Sequence, residues 1–581
     1  MKIIKFFAKF FPRMRVLRLF FFFVAVILVG RLYTLQIVEG EAYERKADSQ
    51  HFATQDIFDR GSIFFEDKNG EEISAGTIKS GYRLILNPSV LEEPEEVYKQ
   101  LTALGLEIDE EDFLFRANKK NDPNEDIMGQ INIETAQKIK NLGLKGVLLG
   151  KENWRFYPGD NLASHTLGFV GYNGDSLEGV YGLEGYYNHI LGRKDKEVGG
   201  NFFAEIFSNI GDVILGKDEG KEGDIILTIE PSVQAYLETE LQGVTEKWQT
   251  DLAGGIIINP NNGEVHAMAV KPDFDLNNFK TTENVFFGNP LVENVYEMGS
   301  IIKALTMAVG LDSGAVTPET TYNDKGTLLL NGSKISNYDG KARGVVDMQE
   351  ILNQSLNVGA AFVEQQVGNS KFAEYFLKLG LGEETGIDLL NETYGLVSNL
   401  KSPRDLEYAT ASFGQGIATT PVETIKALAT LANGGVLITP HLVKKIDYES
   451  GFSDELIYDN TERVFSKESI TSLNKMLIKV VDVALLGGTV KSDDYTIAAK
   501  TGTAQMAKED GRGYHDDKYL HSFFGYFPAT RPEFLVFLYI INPKEVKYAS
   551  HTLTEPFMDI FKFLVNYYEI EPDRDTYEKN I

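Results

Sequence analysis

The chain has 581 residues, more than one hydrophobic core holds, so two or more domains are expected. It carries 85 acidic and 57 basic residues, a formal net charge of −28, which argues against a nucleic-acid partner because phosphate binding needs a basic face. Cysteine is absent, which excludes disulfides, thiolate zinc sites and a cysteine nucleophile.

Residues 1–18 form a basic tail with Lys2, Lys5, Lys9, Arg13, Arg15 and Arg18 and no acid. The unbroken apolar run Leu19 to Gly30 follows, and apolar character continues to Val38 with only Arg31, Thr34 and Gln36 intervening. Leu19 to Val38 is 20 residues, about what a helix needs to cross a hydrocarbon core of ~30 Å. The basic flank predicts an N-terminus in the cytoplasm and the bulk of the chain outside, in a single-pass protein of the cytoplasmic membrane. A cleaved signal peptide is the competing reading, but no convincing small-x-small site follows the run.

Residues 39–222 read as a membrane-proximal α+β module, or pedestal. "SGYRLILNPSVL" predicts a strand, "EEPEEVYKQLTAL" a helix with Pro94 in its first turn, and "NIETAQKIKNLG" a short helix closed by Gly143. A larger domain is expected over 223–570, with a tail at 571–581. In it, "PSVQAYLETELQGV" places Val233, Tyr236, Leu237, Leu241 and Val244 on one helical face. "GGIIINP", Asn262-Gly263 and "EVHAMAV" form a β-hairpin signature. "HSFFGYFP" and "FLVFLYII" predict paired core strands, and "EPFMDIFKFLVNYYEI" a closing helix. Strands at both ends with helices between them give an α+β fold, an antiparallel sheet with an inserted helical lobe.

The chemistry centres on "YEMGSIIKALTMAVGL". After Gly299 the pattern is apolar nearly all round, so the helix is expected to be buried, with Ser300 at its N-terminus and Lys303 one turn on. A serine hydroxyl needs a base, and a lysine serves as one only if burial or a second cation lowers its pKa. The spacing alone is weak, since Ser398–Lys401 and Ser472–Lys475 repeat it, and Lys79 to Gly81 and Ser472–Asn474 imitate the other two motifs. Order and context carry more: Ser355 and Asn357 fall where a new helix begins, and Lys500, Thr501, Gly502 and Thr503 end an apolar strand-like run. Singly, Ser355 and Asn357 read equally as helix caps and the threonines as ordinary strand residues.

Ser-x-x-Lys, Ser-x-Asn and Lys-Thr-Gly in this order form the signature of serine penicillin-recognising enzymes. The chain resembles the class B penicillin-binding proteins, monofunctional transpeptidases of division and elongation, over nearly its whole length. "RGSIFFEDKNG", "RFYPGDNLASHTLGFVG", "YGLEGYYNHILGR", "LTIEPSVQ", "INPNNGEVHAMAVKPDFDLNNF", "SFGQGIATTPVE" and "KTGTAQ" carry the likeness. "YEMGS" is closer to the division type than to the elongation type. The resemblance implies a penicillin-binding transpeptidase domain on an extended α+β pedestal with one N-terminal transmembrane helix.

It also implies roles. Ser300 attacks the carbonyl between the last two D-alanines of a peptidoglycan stem peptide, and Lys303 accepts its proton. Asn357 orients that lysine, and Ser355, assisted by Lys500, relays a proton to the leaving D-alanine. Thr501, Gly502 and Thr503 bind the donor, the threonines at its terminal carboxylate, and the N–H groups of Ser300 and Thr503 form the oxyanion hole. Penicillin and other β-lactams are expected ligands, and a membrane glycan polymerase and division-complex proteins expected partners. No metal or organic cofactor is called for, and His515 with His521 reads as loop polarity.

The chain departs from the family pattern in reading Met298-Gly299-Ser300-Ile301 for Pro-Gly-Ser-Thr, and in placing Gln354 where a second serine is usual. Both bear on acylation rate and β-lactam susceptibility. Of the rivals, a membrane-bound β-lactamase would lack the pedestal and need a deacylating base, for which Glu383 and Glu384 are poor candidates. A penicillin sensor would need a cytoplasmic effector domain, and a non-catalytic division scaffold would not need Ser300, Lys303 and Lys500.

Overall fold

The computed structural model describes residues 21–24, 58–173, 176–193, 222–279, 287–458, 460–508 and 513–579. The expected tail and anchor lie outside these residues except for Phe21 to Val24, which are helical. Among the described residues no helix is long and apolar enough to cross a membrane.

Two compact units are present. Of the described residues, the smaller comprises 21–24, 58–59 and Ile78–Trp154. Its helices Pro94–Thr102, Glu110–Ala117 and Ile133–Leu142 follow the sequence signals closely. Pro94 opens the first, Asp109 and Asn132 cap the others through their side chains, and Gly143 in the left-handed region ends the third. Leu84, Leu86, Leu101, Phe113 and Ile139 form its core.

The larger unit combines Arg60–Thr77 with Arg155–Ile581. The two segments are joined inside that unit by a parallel pairing of Ile63–Glu66 with Gly223–Leu227, and by a buried ionic knot. Glu184 accepts from Arg60 Nε at 2.6 Å and from Arg155 Nε at 2.5 Å, and all three side chains are almost fully buried. At the other end of the unit Arg574 is buried and meets Asp482 through two hydrogen bonds, which anchor the chain there.

The site rests on a five-stranded antiparallel sheet. We label its strands β1 (Leu252–Ile258), β2 (Val265–Lys271), β3 (Ala498–Ala507), β4 (Tyr514–Phe527) and β5 (Phe534–Ile541). Their order across the sheet is β3-β4-β5-β1-β2. The hairpin β1–β2 and the pair β4–β5 are those the sequence predicts.

All eight residues of β5 are buried, and the sheet explains why that run is apolar throughout rather than alternating. Leu535, Phe537, Tyr539 and Ile541 enter the core that also holds helix α2 (Ile302–Asp312) and helix α4 (Lys467–Lys479). Phe534, Val536, Leu538 and Ile540 enter the opposite core, with helix α1 (Pro231–Trp248) and helix α5 (Thr554–Tyr567). Each fully buried side chain of this size contributes roughly 1.5–3 kcal/mol, so helices on both faces make the sheet a rigid floor. Helix α3 (Asn357–Val367) packs beside α2 in the lobe.

Candidate active site

The apolar periodicity after Gly299 produces a helix buried on every side: Ile302 through Gly310 are all inaccessible, Lys303 among them at 1% exposure. A 3-10 turn, Gly299–Ile301, precedes α2 and carries Ser300. Gly299 has φ +66°, and a Cβ there would lie 3.1 Å from the Thr503 backbone on β3. This close approach is what brings the serine turn and the Lys-Thr-Gly strand together. Gly502 answers it from the other side, since a Cβ at that position would lie 2.7 Å from Met298 O and nearer still to Ser522 Oγ. Ser522 Oγ donates to Met298 O at 2.7 Å and fixes the same turn to β4.

Lys303 Nζ lies within hydrogen-bond distance of Ser300 Oγ at 2.9 Å, Asn357 Oδ1 at 2.7 Å, Ser355 O at 2.6 Å and Ser355 Oγ at 3.1 Å. Lys500, 3% exposed, donates to Ser355 Oγ at 3.1 Å and to Thr501 O at 3.0 Å. Ser355 sits at φ +52° in the turn before α3, and Asn357 opens that helix while donating to Ser336 O at 2.9 Å. The five polar side chains that sequence order singles out therefore form one continuous network. Thr501 and Thr503 are half-buried two residues apart on β3, hence on one face, and Gly502 is buried between them. The Lys-Thr-Gly motif lies in the first half of β3 rather than at the end of a strand, because the strand runs on through Thr503 to Ala507.

Electrostatics separate this network from its imitations. Lys401, Lys475 and Lys79 of the stray motifs are all exposed. Burial, and after it the charge of Lys500, hold Lys303 well below the usual lysine range. Burial brings Lys500 down to about 7. Among the described residues no carboxylate bonds to Ser300, Lys303, Ser355 or Lys500, so nothing restores the lost charge. Glu383 and Glu384 are exposed.

The "SFGQGIATTP" segment borders the site: Gly299 N donates to Gly414 O at 3.1 Å, and Glu297 Oε1 accepts from Gly416 N at 2.9 Å. Gln354, the departure beside Ser355, accepts from Arg343 Nε at 2.6 Å and donates to Glu350 Oε2 at 2.6 Å. One reading needs correction. His521 is not loop polarity; it lies on β4, fully buried, because that strand extends from Tyr514 to Phe527 and takes in the polar residues before the apolar run.

A serine within hydrogen-bond reach of a buried lysine, with a second serine–lysine pair beside it on a sheet-and-lobe fold, has the arrangement of an acyl-transfer site of the penicillin-recognising class. Residues 253–562 match the family described as the penicillin binding protein transpeptidase domain, and residues 59–198 the penicillin-binding protein dimerisation domain. The chain belongs to the class B penicillin-binding proteins, in which these two domains follow one another. It is 30% identical to stage V sporulation protein D of Bacillus subtilis, over 98% of this chain and 88% of that protein. It is 26% identical to the peptidoglycan D,D-transpeptidase FtsI of Escherichia coli, over 94% of this chain and 90% of the relative. The fold is similar to that of penicillin binding protein 3 from Mycobacterium tuberculosis in complex with aztreonam, with TM-score 0.68 and 21% identity, covering 89% of this chain and 97% of the other.

Proposed function

We propose that this chain is a peptidoglycan D,D-transpeptidase acting through an acyl-enzyme on Ser300, in septal wall synthesis during division. The carrying observation is the 2.9 Å contact between Ser300 Oγ and a buried Lys303 amine that, among the described residues, has no carboxylate partner. A neutral Lys303 takes the Ser300 proton as Oγ attacks the carbonyl carbon of the penultimate D-alanine. The oxyanion is held by the N–H groups of Ser300 and Thr503, with the positive end of the turn behind them. Collapse breaks the C–N bond, and the leaving D-alanine amine takes a proton from Ser355, which Lys500 replenishes. An amine of a neighbouring stem then attacks the ester carbon and passes its proton through Ser355 back to Lys500, the C–Oγ bond breaks, and Ser300 recovers its proton from Lys303. Asn357 holds Lys303 in line, and Thr501 and Thr503 bind the donor's terminal carboxylate.

Among the described residues no carboxylate bonds to Ser300, which supports a slowly hydrolysed acyl-enzyme and hence transfer rather than β-lactam hydrolysis. The relative named for stage V of sporulation favours a second setting for the same chemistry, wall synthesis in sporulation. The Leu19 to Val38 segment is the membrane anchor in this reading, and a glycan polymerase in the membrane supplies the strands. The test is fluorescent penicillin on the full chain beside Ser300→Ala, with the adduct mapped by mass spectrometry. A lasting adduct on Ser300, absent from the variant, is expected; fast turnover without an adduct, or none in folded protein, would overturn the proposal.

A further inference from the structure

Thr503, whose hydroxyl is assigned above to the donor carboxylate, is not held by its own strand alone. Its Oγ1 accepts a hydrogen bond of 3.1 Å from the backbone N–H of Ala549, in the connection between β5 and α5. That bond occupies one lone pair and turns the Thr503 proton away from Ala549. Accuracy at this hydroxyl therefore depends on where the connection places Ala549.

Two points fix the connection, and one side chain makes both. His521 stands directly opposite Thr503 in the β3–β4 ladder and is fully buried. Its Nε2 lies 3.0 Å from Lys547 O and its Nδ1 3.0 Å from Thr552 Oγ1, two residues before Ala549 and three after it. A carbonyl only accepts, so Nε2 carries the proton and Nδ1 is left as an acceptor facing the Thr552 hydroxyl, whose one hydrogen is shared between Nδ1 and Ala549 O, 3.1 Å away. Burial holds the imidazole neutral, with its pKa down to about 4, which agrees with that tautomer at neutral pH. The backbone N–H groups of Thr552 and Leu553 also donate to Ala549 O, at 3.1 and 3.0 Å, so the clamp on Thr552 reaches Ala549 through a rigid turn. The strand bearing His521 lies inside the sheet, between β3 and β5, and gives the clamp a fixed base.

We propose that His521 is a positioning residue for substrate recognition: by gripping the connection on both sides of Ala549 it sets the Thr503 hydroxyl for the donor's terminal carboxylate. The inference rests on the assignment of Thr503 under the proposed function. Side chains that carry only half the clamp, or none, leave Ser300 and Lys303 as they are but loosen the carboxylate subsite.

The experiment compares acylation of the full chain by a fluorescent penicillin with a free carboxylate and by its methyl ester. The variants are His521→Leu, His521→Gln and Thr552→Val; the last removes one hydroxyl and opens no cavity, which keeps the test valid if His521→Leu does not fold. Loss of a hydrogen bond to a charge-recognising group corresponds to about tenfold. His521→Leu and Thr552→Val are expected to lower the acylation rate with the acid about tenfold and to leave the ester rate within twofold. His521→Gln, which keeps a donor toward Lys547 O and an acceptor toward Thr552, is expected to restore the wild-type ratio. Wild type that separates acid from ester, with variants that keep the full ratio or lose both rates equally, would overturn the positioning role alone. Wild type that does not separate the two probes would overturn the assignment of Thr503, and this proposal with it. Wild type that forms no Ser300 adduct would overturn the function itself.

Discussion

Replacing Lys500 with methionine isolates the energetic consequence of burying a lysine without a counter-ion. The side chain keeps its volume and loses its charge. In the folded protein the Lys500 pKa is about 7, against an ordinary value of 10.5. Between those values the unfolded chain binds more protons than the folded one, so stability rises with pH and the penalty is fully felt below pH 7. The penalty comes to about 4 kcal/mol at pH 7 and about 2 kcal/mol at pH 9. Methionine removes it, but also removes the hydrogen bonds to Ser355 Oγ and Thr501 O, about 1 kcal/mol each. Lys500→Met is thus expected to be more stable than wild type by about 2 kcal/mol at pH 7 and equal to it near pH 9. Trp154 and Trp248 are the chain's two tryptophans, and only Trp248 belongs to the unit that holds the site. Urea unfolding followed by tryptophan fluorescence in a Trp154→Phe background therefore reports on that unit. A stability difference that stays the same at pH 7 and pH 9 would refute the reasoning, because the charge would then not be the cause.

Asn357→Ala removes the 2.7 Å acceptor of Lys303 and the 2.9 Å bond to Ser336 O, and is expected to lower β-lactam acylation of Ser300 roughly 10- to 100-fold with the fold retained; stopped-flow acylation rates check it. Glu184→Gln leaves Arg60 and Arg155 buried without their carboxylate, and is expected to destabilise the larger unit by about 3–5 kcal/mol, read as a lowered urea midpoint of Trp248 fluorescence in the same background.

What was legible in the sequence is what local chemistry writes. The Asn-Gly hairpin, Pro94, Gly143 and the uniform burial of α2 follow from turn residues and apolar periodicity, which act over a few positions. The offset at Lys-Thr-Gly has the same root, because a strand that becomes polar on one face, as β3 does after Thr503, loses the apolar signal before it loses its ladder. The Arg60–Glu184 contact spans 124 residues and His521 to Thr552 spans 31, and nothing at either end announces the other. His521 reads as loop polarity in the sequence because burial of a lone histidine is decided by register, and register is a property of the assembled sheet.

The stray motifs show which local property separates a reactive lysine from a spacing coincidence. Ser398–Lys401 and Ser472–Lys475 share the spacing of Ser300–Lys303, yet their lysines face solvent, where no burial acts on the amine. Lys303 differs because the residues around it are apolar on every side of the helix, so that no rotation of α2 exposes it. The apolar pattern that identified a buried helix thus also identified a depressed amine, since one cause, exclusion of water, produces both. The second lysine sharpens the effect: Lys500 adds a positive neighbour, and among the described residues no carboxylate bonds to either. The same pair to which the proposed function gives the proton transfers is therefore a standing cost to the fold, and the stability of the larger unit should rise with pH for as long as both lysines are present.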